Sequence, residues 1–180
     1  MRSVCQTAST THARHLHAGV RWSLDLCRMS SAGSGSSLRV HAVRFGPGQE
    51  LLGSLLAFVE ERRLRAPFII TCVGSVTTAT LRLANATATN PNEVMRLSGR
   101  FEIVSLVGTL GRGAHLHISL ADAQGRTVGG HVLGDLKVFT TAEVVVGEAT
   151  DLTFTRDMDQ ATGFPELVVK SRSPPEEGRE

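Results

Sequence analysis

The sequence predicts a domain of the α/β class, of the α+β type, with a mostly antiparallel twisted sheet and one long amphipathic helix. Three observations predict it. Alternating apolar and polar residues, the period of a half-buried strand, begin at Leu38–Phe45 and return along the chain. Apolar residues at helical spacing form a stripe within 49–64. A tight hairpin turn at 122–126 joins two of the alternating runs, which requires antiparallel strands.

The composition is that of a single domain of ordinary size with flexible ends, because the chain has 180 residues. Apolar residues make up 41% and aromatic residues 4%, with no Tyr, so the core is expected to be aliphatic. The net charge of +2 gives no electrostatic case for nucleic-acid binding by the whole chain. Three cysteines without metal-type spacing argue against a disulfide framework. No apolar run reaches the roughly 20 residues of a membrane span, so no membrane partner is expected.

The predicted helix follows the turn Gly46-Pro47-Gly48 and ends before Pro67. Its leucines and a valine lie on one face, and glutamates and an arginine lie on the others. Three arginines at positions 62, 63 and 65 fall near its carboxyl end, where cations interact favourably with the helix dipole. We therefore interpret this basic cluster as a helix end rather than a nucleic-acid patch.

Most of the remaining chain has the pattern of strands. The segment 68–74 is almost continuously apolar, which predicts a strand buried on both faces. Cys72 within it is interpreted as an inert core thiol rather than a nucleophile, because burial raises the pKa of a thiol. Further strands are predicted at 75–84, 94–110, 137–141, 142–149 and 153–156, and a polar loop is predicted at 85–92.

The segment 111–135 carries the residues with the most distinctive chemistry. His115 and His117 are two apart in an alternating run, and such side chains point to one face of a strand. The sequence Asp122-Ala123-Gln124-Gly125-Arg126 predicts a hairpin with a three-residue loop in which the glycine is left-handed. If the first and last of these residues pair, His131 lies directly opposite His117 and diagonal to His115. Opposite Cβ atoms are about 5 Å apart, so the three imidazoles can coordinate one ion.

These histidines have two interpretations, and the residues alone leave both open. Neutral imidazole suits zinc, copper, iron or nickel, and three histidines without a fourth protein ligand are the open arrangement of a catalytic zinc site. Alternatively the rings are solvated or packed, which is the commoner outcome for two histidines on a strand. Gly129 and Gly130 could add a bulge that changes the register, but they also let a ligand approach the backbone.

Longer motifs around these histidines resemble those of the PPC domain (plants and prokaryotes conserved, also called DUF296). They are GRFEIVSL at 99–106, SLADAQG at 119–125 and GGHVLG at 129–134, in the order the family has them. The resemblance covers about 38–170. It therefore predicts an N-terminal extension at 1–37, the PPC domain at 38–170 and a tail at 171–180. It also implies a compact α/β domain that associates as a homotrimer.

The resemblance further implies a site. The PPC fold is similar to that of acetolactate decarboxylase and a related zinc-dependent ester hydrolase, in both of which an HxH pair and a later histidine hold zinc. By this analogy His115, His117 and His131 hold zinc, although a shared fold does not name a reaction. Plant relatives join the domain to AT-hooks, which are Arg-Gly-Arg-Pro segments that this sequence does not contain. Plant forms typically lack the histidine pair, so the chain resembles the prokaryotic members more closely.

Glu102 lies inside the first motif. The family ties the segment 100–106 to subunit association, so the usual interpretation of Glu102 is a solvated or interface carboxylate. As a weaker alternative it is a catalytic residue, acting as a partner to the metal ligands or as a proton carrier. Arg112, Asp122 and Asp135 flank the hairpin and are weak candidates for substrate contacts, and Asp122 more simply fixes the turn.

The two ends differ from the rest of the chain. Residues 1–37 are rich in Arg and Ser with Asp25 as the single acid, a composition typical of a mitochondrial transit peptide. An unstructured extension, with Met29 as an alternative start, explains the same composition. The tail from 171 is rich in Pro, Glu and Arg, which predicts disorder. A mitochondrial or cytoplasmic location is left open, and a nuclear location is expected only for a DNA-binding protein.

Two functions remain open at this point. In the first, a homotrimer uses a zinc ion on the three histidines for hydrolase or lyase-type chemistry on a small carbonyl compound. In the second, the domain is a non-enzymatic module for oligomerisation or DNA binding. No residue in the sequence selects a substrate.

Overall fold

The structure is a computed structural model that describes residues 35–85, 89 and 93–172. The predictions made for the N-terminal extension up to residue 34, for most of the loop at 85–92 and for the tail beyond residue 172 lie outside these residues. Within the described part, the strands run from Leu38 to Ser171.

Eight strands and one helix follow one another in the described residues. They are β1 (Leu38–Phe45), α1 (Leu51–Glu61), β2 (Pro67–Arg82), β3 (Val94–Thr109), β4 (His115–Ala121), β5 (Thr127–Gly134), β6 (Val138–Ala149), β7 (Leu152–Met158) and β8 (Pro165–Ser171). The runs predicted as pairs of strands at 68–84 and 137–149 are each one long strand, β2 and β6. In β2, bulges let the strand bend without ending.

Six strands form one sheet in the order β1-β6-β2-β3-β4-β5, and β7 and β8 form a separate two-stranded sheet. Every pairing between these strands is antiparallel. The end of β2 also pairs with β5, so strands β2 to β5 close on themselves. This closure places Arg82 opposite His131. The mostly antiparallel sheet with one helix is thus confirmed, while the likeness to acetolactate decarboxylase stays a prediction.

The helix is shorter than predicted. It covers eleven residues, Leu51–Glu61, rather than 49–64. Arg63 adopts the left-handed conformation with φ 53°, and the N–H groups of Arg63 and Leu64 return to carbonyls of the last helical turn. This is the Schellman arrangement that ends many helices. Pro67 therefore begins β2 instead of closing the helix.

The core is aliphatic, as predicted, and lies between α1 and the inner face of the sheet. The helix contributes Leu51, Leu55 and Val59, which are four residues apart and all buried. Cys72 is 3% exposed, and burial raises the pKa of its thiol to about 11, in agreement with an inert core residue. The sheet contributes Leu81, Leu106, Leu116, Leu120, Val144 and Val146. Among the described residues, no helix has the length and apolar character that crossing a membrane requires.

The outer face of the sheet is partly apolar, which corrects one prediction. The run at 68–74 was predicted to be buried on both faces, but Ile70 and Val73 are 43% and 54% exposed. Ile69 and Cys72 are buried, and a bulge between Ile69 and Thr71 keeps both on the covered face while Ile70 and Val73 stay open. Within the described chain nothing covers that open face.

Candidate metal centre

The hairpin between β4 and β5 is built as the sequence predicts. The N–H of Asp122 donates to the carbonyl of Arg126 at 3.0 Å, and the N–H of Gly125 donates to the carbonyl of Asp122 at 2.9 Å. Gly125 has φ 75°, the left-handed conformation that the three-residue loop requires. The Asp122 carboxylate accepts the N–H groups of Gln124 and Arg126, each at 2.9 Å. Asp122 therefore fixes the turn, and it lies at the opposite end of the hairpin from the histidines.

The turn sets the register that brings three histidines together. His117 pairs directly with His131, and Gly129 and Gly130 continue the register without a bulge. Ligand atoms of His115, His117 and His131 all lie within 4.8 Å of one another. The ring centroids are 4.9 to 5.5 Å apart. The predicted pairing of His117 with His131 is confirmed.

The histidines occupy the outer face of the sheet because their neighbours fill the inner one. Leu116, Ile118 and Leu120 alternate with them along β4 and are buried in the core. His115 and His131 are partly buried, whereas His117 is exposed. The rings are thus held by a rigid strand pair but remain open to a ligand.

Two of the three rings are held in the neutral form. Burial, followed by the charge of the nearby Arg82 guanidinium, lowers the pKa of His131 to about 4. Burial, followed by the charge of Arg156, lowers the pKa of His115 below its usual value. A neutral imidazole has a free lone pair at pH 7, which is the state that binds a metal.

The set of donors fits a metal ion. The Nδ1 atom of His131 is buried and has no hydrogen-bond partner among the described residues. A buried polar atom without a partner is uncommon in folded proteins. A cation bound through this atom would satisfy it. Three imidazoles, with no further ligand beside them among the described residues, match an open zinc site.

A second hairpin, β7–β8, forms the opposite wall of a cleft beside the histidines. Arg156 of β7 donates from Nε to the carbonyl of Gly113 at 2.9 Å, and from Nη2 to Oγ1 of Thr109 at 3.0 Å. It also donates from Nη1 to the carbonyl of Pro165 at 3.3 Å. Arg156 therefore fastens β7–β8 to the loop that leads into β4. The cleft has a volume of about 480 Å³ and is lined by Arg82, Arg112, Gly113, Ala114, His115, His131, Arg156, Phe164, Pro165 and Glu166.

Several of these lining residues were not predicted. Arg112 was a weak candidate for substrate contact, and it does line the cleft. Arg82, Arg156 and Glu166 were missed because they come from strands that meet the histidines only in the folded chain. Of these three residues, only Arg82 could have been placed near the histidines from the sequence, by pairing the end of β2 with β5. Asp135 is not in the cleft, and its carboxylate accepts a hydrogen bond from Oγ1 of Thr80 at 2.6 Å.

Glu102 is not brought to the histidines. It pairs with Ala121 of β4, whereas His117 pairs with Val107, five positions further along β3. Five residues of strand span about 16 Å. Within one chain Glu102 therefore does not contact the three rings, and the catalytic role considered for it gains no support.

The family follows from comparison with known proteins. A family model described as the Plants and Prokaryotes Conserved (PCC) domain, the family called PPC above, matches residues 32–150. The chain belongs to this family. The PPC motifs read from the sequence are thereby confirmed.

Relatives of this PPC chain occur in bacteria and plants. It is 44% identical over 135 residues to the bifunctional protein GlmU of a Synechococcus species, covering 74% of this chain and 21% of that protein. It is 31% identical over 155 residues to AT-hook motif nuclear-localized protein 20 of Arabidopsis thaliana, covering 81% of this chain and 53% of that protein. The chain thus spans about a fifth to a half of these curated relatives.

Solved structures share the PPC fold. A hypothetical protein from Salmonella matches with a TM-score of 0.73 and 40% identity, covering 78% of this chain and 99% of that one. A protein from Archaeoglobus fulgidus, described as metal-containing, matches with a TM-score of 0.65 and 24% identity, covering 74% of this chain and 96% of that one.

Proposed function

We propose that this PPC domain binds one zinc ion at His115, His117 and His131 and uses it for hydrolase or lyase-type chemistry on a small carbonyl compound. The observation that carries the proposal is the approach of the three ligand atoms to within 4.8 Å of one another. Nε2 of His115 and Nε2 of His117 are 3.2 Å apart. Tetrahedral ligands about 2.05 Å from zinc are separated by about 3.3 Å, so this pair already has the required spacing.

Two of the three proposed ligands lie in the wall of the cleft. His115 and His131 line the cleft, so a substrate there meets the side of the cluster that they form. Bound zinc would act as a Lewis acid toward a carbonyl oxygen or supply hydroxide near neutral pH. The description of the Archaeoglobus fulgidus protein as metal-containing supports a metal in this fold.

Metal analysis of the purified, untagged full chain tests the proposal. We expect about one zinc per chain, lost in His117→Ala, because two imidazoles hold zinc far more weakly than three. His41→Gln is the matched control, since His41 lies on β1 against Phe58 and outside the cluster. Zinc absent from the unaltered chain, or retained in His117→Ala, would overturn the assignment.

We further propose that the protein is a homotrimer. Val104 and Val107 of β3 are 57% and 51% exposed, and the GRFEIVSL motif contains the first of them. Ile70 and Val73 add exposed apolar surface on the neighbouring strand β2. Contiguous apolar surface of this kind marks protein interfaces. Sedimentation equilibrium of the unaltered chain should give three times the chain mass. Val104→Asp should lower the measured mass. A monomeric unaltered chain would exclude the trimer.

A DNA-binding module is the second candidate function. The names of the plant relatives, AT-hook motif nuclear-localized proteins, favour it. This sequence contains no Arg-Gly-Arg-Pro segment, so binding would use another surface. Binding to an A·T-rich duplex, measured over a salt series, decides the matter, since phosphate contacts weaken steeply as salt rises.

Cellular location separates the two candidates. We propose a nuclear location only with DNA binding, and a mitochondrial or cytoplasmic location with the metal site. A fluorescent fusion of the full chain, compared with one lacking residues 1–37, shows which compartment the protein reaches and whether the extension directs it.

A further inference from the structure

The cleft beside the histidines has an excess of positive charge. Its lining includes three arginines, at positions 82, 112 and 156, and one acid, Glu166. Among the described residues, none of these arginines forms an ion pair with a carboxylate. Three guanidinium groups against one carboxylate make the lining cationic, and a divalent metal would add further positive charge. Such a site is suited to an anionic ligand.

Arg156 is held in place without being neutralised. Its three hydrogen bonds go to two backbone carbonyls and a threonine hydroxyl, none of which carries a charge. A guanidinium has five N–H donors. Two of those of Arg156 have no acceptor among the described residues and can donate to a ligand. The other three fix its position beside His115.

Arg82 lines the same cleft from the end of β2. It pairs across the sheet with His131, which places their Cβ atoms about 5 Å apart. Its guanidinium lies over the ring of Phe164, 5.1 Å from the ring centroid. Stacking occupies the face of the guanidinium and leaves its N–H edge free to donate. Two ordered arginines thus border two of the proposed metal ligands.

We propose that this cleft binds a small carboxylate with a second oxygen function, and that Arg82 and Arg156 hold the carboxylate beside the histidine cluster. The planar fork of arginine matches a carboxylate in two parallel hydrogen bonds. A volume of about 480 Å³ suits a small molecule. Glu166 in the same cleft disfavours a phosphate dianion more than a carboxylate monoanion. This inference rests on the proposed metal site, which would receive the second oxygen.

Calorimetric titration of the full, zinc-loaded chain tests the inference with three probes: 2-oxobutanoate, its neutral methyl ester and inorganic phosphate. We expect the acid to bind and the ester to bind at least tenfold more weakly. Arg82→Gln should weaken the acid about 10- to 100-fold, as expected for the loss of hydrogen bonds to a charged group. Arg62→Gln removes the same charge from the end of α1 and should leave binding unchanged.

The outcomes separate this inference from the proposed function. If the purified chain contains no zinc, the proposed function is wrong. If the chain contains one zinc but binds acid and ester equally, only the carboxylate inference is wrong. The same holds if its affinity for the acid is unchanged in Arg82→Gln. Tighter binding of phosphate than of 2-oxobutanoate also overturns it. The comparison of acid with ester uses the unaltered chain, so equal binding overturns the inference even if Arg82→Gln does not fold.

Discussion

The two hairpins that face each other across the cleft are built differently. In β4–β5, every second residue of β4 is buried in the main core, and both strands pair with further strands of the sheet. In β7–β8, the strands pair only with each other among the described elements, and Leu167 and Val169 are 42% and 41% exposed. The first hairpin fixes the histidines rigidly. The second is attached through the side chain of Arg156 and through a backbone hydrogen bond from the N–H of Phe154 to the carbonyl of Arg65, and it supplies charge to the cleft.

This difference implies a division of roles. The proposed metal ligands need accurate positions, which a strand pair inside a large sheet provides. Arg156, one of the two arginines that we propose to hold a ligand, is carried by a peripheral hairpin, where changes in sequence disturb the core less. Substitutions in the two hairpins should therefore separate stability from recognition.

Removing core packing from β4 should have the largest effect on stability. Leu116→Ala takes a fully buried side chain out of the strand between His115 and His117. We expect it to lower the free energy of unfolding by about 2–5 kcal/mol, the usual cost of such a cavity. Leu167→Ala on β8 is the matched control and should change it by less than about 0.5 kcal/mol. Urea unfolding followed by circular dichroism measures both, and equal losses would remove the distinction between the hairpins.

Changing the anchor of β7–β8 should have a smaller, local effect. Arg156→Lys keeps the charge but cannot reach Thr109, Gly113 and Pro165 at once. We expect amides of β8 to exchange with solvent about tenfold faster, while those of β4 keep their protection. Hydrogen exchange read by mass spectrometry shows this. If β4 and β8 lose protection together, the two hairpins unfold as one unit and the comparison fails.

The sequence predicts the geometry of β4–β5 but not the residues that meet it across the cleft. The register of β4–β5 follows from local signals, namely the spacing of His115 and His117 and a turn whose glycine must be left-handed. Arg82 and Arg156 carry no local mark, because their role depends on which strands meet in space. The length of the helix was overestimated because Arg63 takes a left-handed conformation that favours glycine. The openness of Ile70 and Val73 was missed because an apolar run does not show whether the covering surface belongs to the same chain.

Acid should also destabilise the metal-free protein. The pKa of His131 is about 4 in the folded chain, against about 6.5 for an unperturbed histidine. Between these values the unfolded chain takes up a proton that the folded chain refuses, so stability falls as pH drops from about 6.5 to about 4. Urea unfolding after chelation should show this slope, and His131→Gln should make it shallower. An unchanged slope would mean that His131 is not held neutral by the fold.

Anomalous X-ray diffraction from crystals of the untagged chain shows whether β4–β5 carries the metal that we propose. Data collected on either side of the zinc absorption edge should show one peak per chain, about 2.1 Å from nitrogens of His115, His117 and His131. The absence of a peak there, in crystals grown with zinc, would contradict the claim.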